Sequence, residues 1–231
     1  MSARGVVIGV VVAAVVVGGA AVVADRWAVH ETQDRAVQRI SEEVDGAVGT
    51  PTVDVGGFPF LTQVAAGSID DITAHIPGAT LGGLAATDID LAATGVTTSE
   101  PYTAEHATVS ATVPTAEIQR VVVERTGLEV VVTSTGGALK VSGKVLGVTL
   151  AATIEPRVEG GKLLVDVTGV SLGGVGVDPS QLPGGIGDKV TGIEIPLSGL
   201  PSGLVLTDVQ VTAAGARVTA AGDDVALTVE S

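Results

Sequence analysis

Between residues 88 and 230 the chain repeatedly alternates with period two. In Ala107-Thr108-Val109-Ser110-Ala111-Thr112-Val113 every odd position is apolar and every even one carries a hydroxyl. Successive side chains of a strand point to opposite faces, so the pattern describes a strand with one dry side and one wet side. Ile89, Leu91 and Ala93 stand against Asp88, Asp90 and Thr94 in the same way. So do Val148, Leu150, Ala152 and Ile154 against Thr149 and Thr153, and Val225, Leu227 and Val229 against Thr228 and Glu230. One-sided strands of this kind belong to antiparallel sheet. Turn signals divide them at Pro77-Gly78, Gly82-Gly83, Gly136-Gly137, Gly160-Gly161, Gly215 and Gly222-Asp223.

A sheet that is dry on one side needs a cover. Val29, Ala36, Val37, Ile40, Val44 and Val48 recur at helical spacing, with Asp34, Arg35, Gln38, Arg39, Glu42 and Glu43 on the remainder. This predicts an amphipathic helix over about residues 26–48, ended by Gly46, Gly49 and Pro51. A second helix is expected after Pro114-Thr115, running from Ala116 to Arg125 with Ile118, Val121 and Val122 as its apolar set and Gly127 as its stop. Asp178-Pro179 opens a third, but Pro183-Gly184-Gly185 interrupts it, which leaves a loop with at most one helical turn. The resulting class is α+β: antiparallel sheet packed on an N-terminal amphipathic helix, with one or two short extra helices. The order helix, strands, helix, strands hints at an internal duplication. Nothing in composition marks a linker, so residues 25–231 are expected to form one domain.

Ahead of it, Gly5 to Ala24 are twenty uncharged residues behind Arg4 and before Asp25-Arg26. As a helix the run is long enough for a hydrocarbon layer of roughly 30 Å, and Arg4 favours keeping the start inside. Val22-Val23-Ala24 also places small residues where a secretory signal would be cut. Both readings, signal anchor or signal peptide over residues 1–24, put the remainder on the extracytoplasmic side of the plasma membrane, anchored or secreted.

Composition excludes several chemistries. There is no cysteine, hence no disulfide, thiol nucleophile or thiolate metal site. A net charge of −14 argues against nucleic acid and against a basic patch for anionic head groups. One Trp, one Tyr and two Phe leave few rings to fill the space between elements, which permits an apolar hollow, although Val, Leu and Ile pack densely without them. Gly169-Val170-Ser171-Leu172-Gly173 matches a nucleophile-elbow pattern, but no histidine follows it. His75 and His106 alternate against apolar neighbours and belong to the wet face. Asp70-Asp71, Asp88-x-Asp90 and Asp223-Asp224 lack the frame of a calcium loop. Gly143-Lys144 lacks the rest of a phosphate loop. No catalytic residue, metal ligand or cofactor is expected, and a binding protein is favoured over an enzyme.

The densest signal is Val53-Asp54-Val55-Gly56-Gly57-Phe58-Pro59-Phe60-Leu61-Thr62-Gln63, which holds both phenylalanines. Pro59 between them makes an extended segment or turn in which the two rings face the same way. They are either a core plug that seats the sheet on the first helix or an apolar rim that touches acyl chains or the bilayer.

Three features together resemble the actinobacterial envelope proteins of the LmeA type. They are the N-terminal apolar run, the signature Gly57-Phe58-Pro59-Phe60-Leu61-Thr62-Gln63, and a C-terminal stretch. That stretch runs Leu200-Pro201-Ser202-Gly203-Leu204-Val205-Leu206-Thr207, then Asp208-Val209-Gln210-Val211, Gly215-Ala216-Arg217-Val218 and Asp224-Val225-Ala226-Leu227. The resemblance implies an envelope protein that binds phospholipid or a phosphatidylinositol-derived glycolipid. It also implies similarity to tubular lipid-binding folds, in which a long curved antiparallel sheet wraps a helix and leaves an apolar groove. In that reading Val37, Ile40, Val44, Phe58, Phe60 and Leu61 touch lipid, and residues 5–24 hold the protein to the membrane. A basic head-group clamp is not expected, because Arg120, Arg125, Arg157, Arg217, Lys140, Lys144, Lys162 and Lys189 are dispersed. The alternative is a non-enzymatic structural or assembly domain of the envelope with a fully packed core.

Overall fold

The computed structural model describes residues 22, 24–38, 40–42, 46–81, 83–127, 129–145, 148–177, 193–195 and 200–227. Residues 5–21 and 23 of the apolar run, Val44, and the segment after Asp178-Pro179 lie outside them. No described helix is long and apolar enough to cross a membrane.

Residues 24–38 and 40–42 are helical (α1). The expected extension to residue 48 does not form. Gly46 has φ +64°, and Val48 instead makes a bridge to Gly78, donating its N–H to the Gly78 carbonyl at 2.8 Å. The chain then forms β1 (Thr52–Val55), a short helix α2 (Phe60–Ala66), β2 (Ser68–Leu81), β3 (Leu84–Thr97) and β4 (Thr103–Pro114). A third helix α3 (Thr115–Thr126) follows, where expected, and Gly127 stops it in the left-handed conformation at φ 68°. Its N-cap is Pro114, with no side-chain cap. Strands β5 (Val130–Thr135), β6 (Ala138–Val145), β7 (Val148–Glu159), β8 (Lys162–Leu172), β9 (Val175–Val177), β10 (Ile193–Ile195), β11 (Val205–Val211) and β12 (Gly215–Ala226) complete the described elements.

The strands are antiparallel, as the alternation requires, but they make two sheets where one long sheet was expected. The first has the order β1-β2-β3-β4-β12-β11, and the second β10-β8-β7-β6-β5 with β9 paired to β8. The reason is an occupied edge. From Gly215↔Pro114 to Ala226↔Thr103, β12 covers the free side of β4, so β5 to β10 cannot extend the first sheet at β4 and pair with one another. The duplication hinted at by element order is likewise broken, since β11 and β12 return to the first sheet.

Two expected turns are strand interior. Pro77-Gly78 lies within β2, whose pairing with β3 runs on through Ile76↔Ile89 and Gly78↔Thr87, while β3 bulges against β4 between Thr87 and Asp90, with Asp88 at φ 49°. Gly222-Asp223 lies within β12, paired to Ala107 and His106. A Cβ on Gly222 would strike the backbone of Gly203, so glycine here serves a close approach of two chains. The glycine pairs 136–137 and 160–161 do turn the chain, all four at positive φ.

The dry face of the first sheet carries Ala93, Ala104, Ala107 and Ala220. These small side chains let α1 lie close, with Val29 buried and Ala36, Val37 and Ile40 packed against the same cluster. Val158 and Leu163 of the second sheet join it. The helix-on-sheet arrangement read from the periodicity is therefore present.

Candidate functional site

α3 begins where β4 ends and crosses from the first sheet to the second. Polar side chains tie it to both. Glu117 accepts the backbone N–H of Ala85 at 3.1 Å and Gln119 accepts that of Val132 at 3.1 Å. Arg120 donates to Glu117 at 2.6 and 2.9 Å and to Glu124 at 2.9 Å. The hydrogen bonds from Arg120 outweigh partial burial, and with the Ala85 N–H they hold the Glu117 carboxyl below its ordinary value. These contacts leave Ile118, Val121 and Val122, at spacings of three and one, on the other side of the helix.

That side roofs a half-enclosed cavity of about 260 Å³. Its walls are Leu139 and Val141 of β6, Ile154 and Pro156 of β7, and Leu163 and Val165 of β8. Opposite them stand Leu84, Val113, Val209, Ala216 and Val218 from the first sheet. All fourteen lining residues are apolar and none is aromatic. The pairings Leu139↔Ile154 and Pro156↔Val165 place the second sheet's contribution on one face. Among the described lining residues, none can donate or accept a side-chain hydrogen bond, or act as acid, base or nucleophile. It can hold hydrocarbon. At about 30 Å³ for each water-sized group, it admits roughly nine methylenes.

A second depression, of about 330 Å³, lies on the wet face of the first sheet and is lined by groups such as Thr52, Asp54, His75, Asp90, Thr108 and Ser110. Two of its charged or titratable groups, His75 and Asp90, are already engaged. Asp90 takes a hydrogen bond from His75 Nδ1 at 2.7 Å and one from Arg217 at 2.6 Å, and Arg217 also reaches Ser110 at 2.6 Å. The hydrogen bonds from His75 and Arg217 keep the Asp90 carboxyl below its ordinary value. His106 pairs with Asp223 on the same sheet. Both histidines therefore sit on the wet face, as their alternation indicated. Ser171 lies inside β8 opposite Ala151 and Gly176, far from an elbow turn.

Of the six residues expected to touch lipid, the five that are described do not line the apolar chamber. Val37 and Ile40 pack on the core cluster beneath α1, and Val44 lies outside the described residues. Phe60 is 4 % exposed within that cluster, beside Val29, Val53 and Val55, so it is a core plug. Phe58 is 60 % exposed and Leu61 47 %. The two rings part because Phe60 opens α2, with Pro59 as its N-cap, and the strand rule that places residues i and i+2 together ceases to hold. Asp25, only 2 % exposed, fastens this corner by accepting the Leu61 N–H at 2.8 Å. Burial raises its pKa, but the amides of Leu61 and Phe60, together with Arg26, bring the carboxyl below its ordinary value.

Sequence reasoning picked out the apolar stripe of α3 and the scarcity of rings, which are the two signals for the chamber. It had no means of joining residues from eight elements. Three arginines, each of a type that pairs with phosphate, are committed to carboxylates instead: Arg120 to Glu117 and Glu124, Arg157 to Asp166 and Glu159, and Arg217 to Asp90.

Comparison with curated proteins and with solved structures returned no match. The model of the LmeA-like phospholipid-binding family matches residues 23–221, from the start of α1 into β12. An all-apolar chamber without catalytic groups agrees with that description, and the chain belongs to the LmeA-like phospholipid-binding family.

Proposed function

We propose that the protein holds an acyl chain of a phospholipid or phosphatidylinositol-derived glycolipid in the chamber beneath α3, and does so at the extracytoplasmic face of the plasma membrane. The observation that carries the reading is a cavity of about 260 Å³ with no polar residue among its described lining. Transfer of about 0.8 kcal/mol per buried methylene gives roughly 7 kcal/mol for nine of them, before the costs of association. That is useful affinity without an ionic clamp, in keeping with the committed arginines. The head group then stays at the mouth, and the protein carries or presents the lipid without transforming it. The run Gly5–Ala24 would keep the chamber near its source of lipid, or be removed to give a shuttle.

A fully packed structural domain is the competing reading, and the chamber weighs against it. Native mass spectrometry of the purified chain, followed by extraction and identification of bound lipid, tests the proposal. Lipid-loaded protein is expected. Protein that purifies empty and takes up no phospholipid from vesicles would overturn it.

A further inference from the structure

Helix α2 is dressed the wrong way for a helix in water. On α1 and α3 the exposed positions carry Arg35, Gln38, Glu42, Arg120 and Glu124, the usual polar face of an amphipathic helix. α2 reads Phe-Leu-Thr-Gln-Val-Ala-Ala and buries Phe60 and Gln63. What it shows outward is Leu61, Thr62, Val64, Ala65 and Ala66. No residue from 56 to 67 is charged, in a chain with 26 acidic and 12 basic side chains. The polar Gln63 faces inward because its amide is used: its oxygen accepts the Asp70 N–H at 2.7 Å.

Exposed apolar groups collect at the same corner. Phe58 precedes α2, and Arg26 of α1 lies over its ring at 5.1 Å from the centroid. Trp27, the sole tryptophan, is 68 % exposed, and Val22 is also exposed. The Asp25 carboxylate, bonded to the start of α2, fixes the two helix beginnings side by side. The run of twenty uncharged residues ends at Ala24, immediately before this aspartate.

We propose that Phe58, Leu61 and Val64, with Trp27 and Arg26, form a membrane-docking surface that sits in the interfacial layer of a phospholipid bilayer. Were the apolar run that ends at Ala24 held in a bilayer, this corner would be the described part of the fold nearest to it along the chain. The chemistry suits that layer: an indole and a guanidinium belong at head-group depth, and aliphatic groups just below it. The docking surface is distinct from the lipid chamber and does not depend on it.

The chain has no cysteine, so a single introduced thiol can be labelled with no native thiol competing. Leu61→Cys, Val64→Cys and, on the wet face, Thr108→Cys are labelled with an environment-sensitive dye. Each full-length variant is then reconstituted in phosphatidylcholine vesicles with and without shallowly brominated acyl chains. Labels at 61 and 64 are expected to shift to the blue and lose emission to bromine, while the label at 108 keeps its aqueous spectrum. Labels at 61 and 64 that match the one at 108 would overturn the proposal. So would a blue shift that needs no lipid and grows with protein concentration, which means a second copy covers the face. Chamber occupancy is read separately by native mass spectrometry, so failure of docking and failure of lipid loading are distinguishable.

Discussion

Filling the chamber from its roof separates lipid binding from folding. Val121 projects from α3 into the 260 Å³ space, and Val121→Phe adds four carbon atoms at that point. At about 30 Å³ for each water-sized group, the ring takes up roughly 120 Å³, close to half the cavity. Four methylenes of a bound chain are displaced, worth about 3 kcal/mol at about 0.8 kcal/mol each. With about 1.4 kcal/mol for each tenfold, acyl-chain affinity should fall by roughly 200-fold. Overpacking a dense core ordinarily costs about 1–3 kcal/mol, but here the ring enters empty space, so the melting temperature should hold or rise. The assay is displacement of a fluorescent fatty acyl probe, with thermal denaturation alongside. Val131→Phe is the control, the same chemical change at an exposed site on β5, and should leave affinity unchanged. A folded Val121→Phe protein that binds the probe as tightly as the parent would refute the assignment of the chamber.

Two further outcomes follow from the geometry. Asp25, Asp90 and Glu117 all titrate below their ordinary values of 3.8 for aspartate and 4.5 for glutamate. Between each depressed value and the ordinary one the unfolded chain binds more protons. These groups therefore stabilise the fold fully above the ordinary values, and the benefit is lost as pH falls through the folded ones. Urea midpoints should drop on acidification below about pH 4.5, and less steeply in Glu117→Gln; a midpoint that rises on acidification contradicts the assigned partners. Gly222→Ala forces β12 away from Gly203 and should cost about 1–3 kcal/mol, the range for backbone displacement by added bulk. At about 2–4 °C per kcal/mol for a chain of this size, calorimetry should show a clear fall in melting temperature, and an unchanged value would mean that the two segments do not meet.

How much of this was legible in the sequence varies with the range of the interaction. The run from Ala107 to Val113 names its own dry side, because strand periodicity is a local property. The three residues Ile118, Val121 and Val122 mark the stripe of α3 for the same reason. Local reasoning fails where a distant partner changes the local geometry. Pro77 reads as a turn until β3 is found paired with β2 on both sides of it, and Gly222 reads as a turn until Gly203 is found against it. Phe58 and Phe60 read as a pair, yet helix α2 begins between them and sends one into the core and the other to the surface.

The sequence by itself determined the antiparallel strands, the amphipathic first helix, the helix after Pro114, and the absence of thiol chemistry, since each depends on residue type and short spacing. Tertiary structure decided that β12 would seal the edge of β4 and so force a second sheet. It also decided that the gap between the two sheets would become the apolar chamber under α3. The physical reason is that an edge or a cavity belongs to no segment. It exists only when strands separated by about a hundred residues have paired, and no pattern along one of them records which neighbour it will meet.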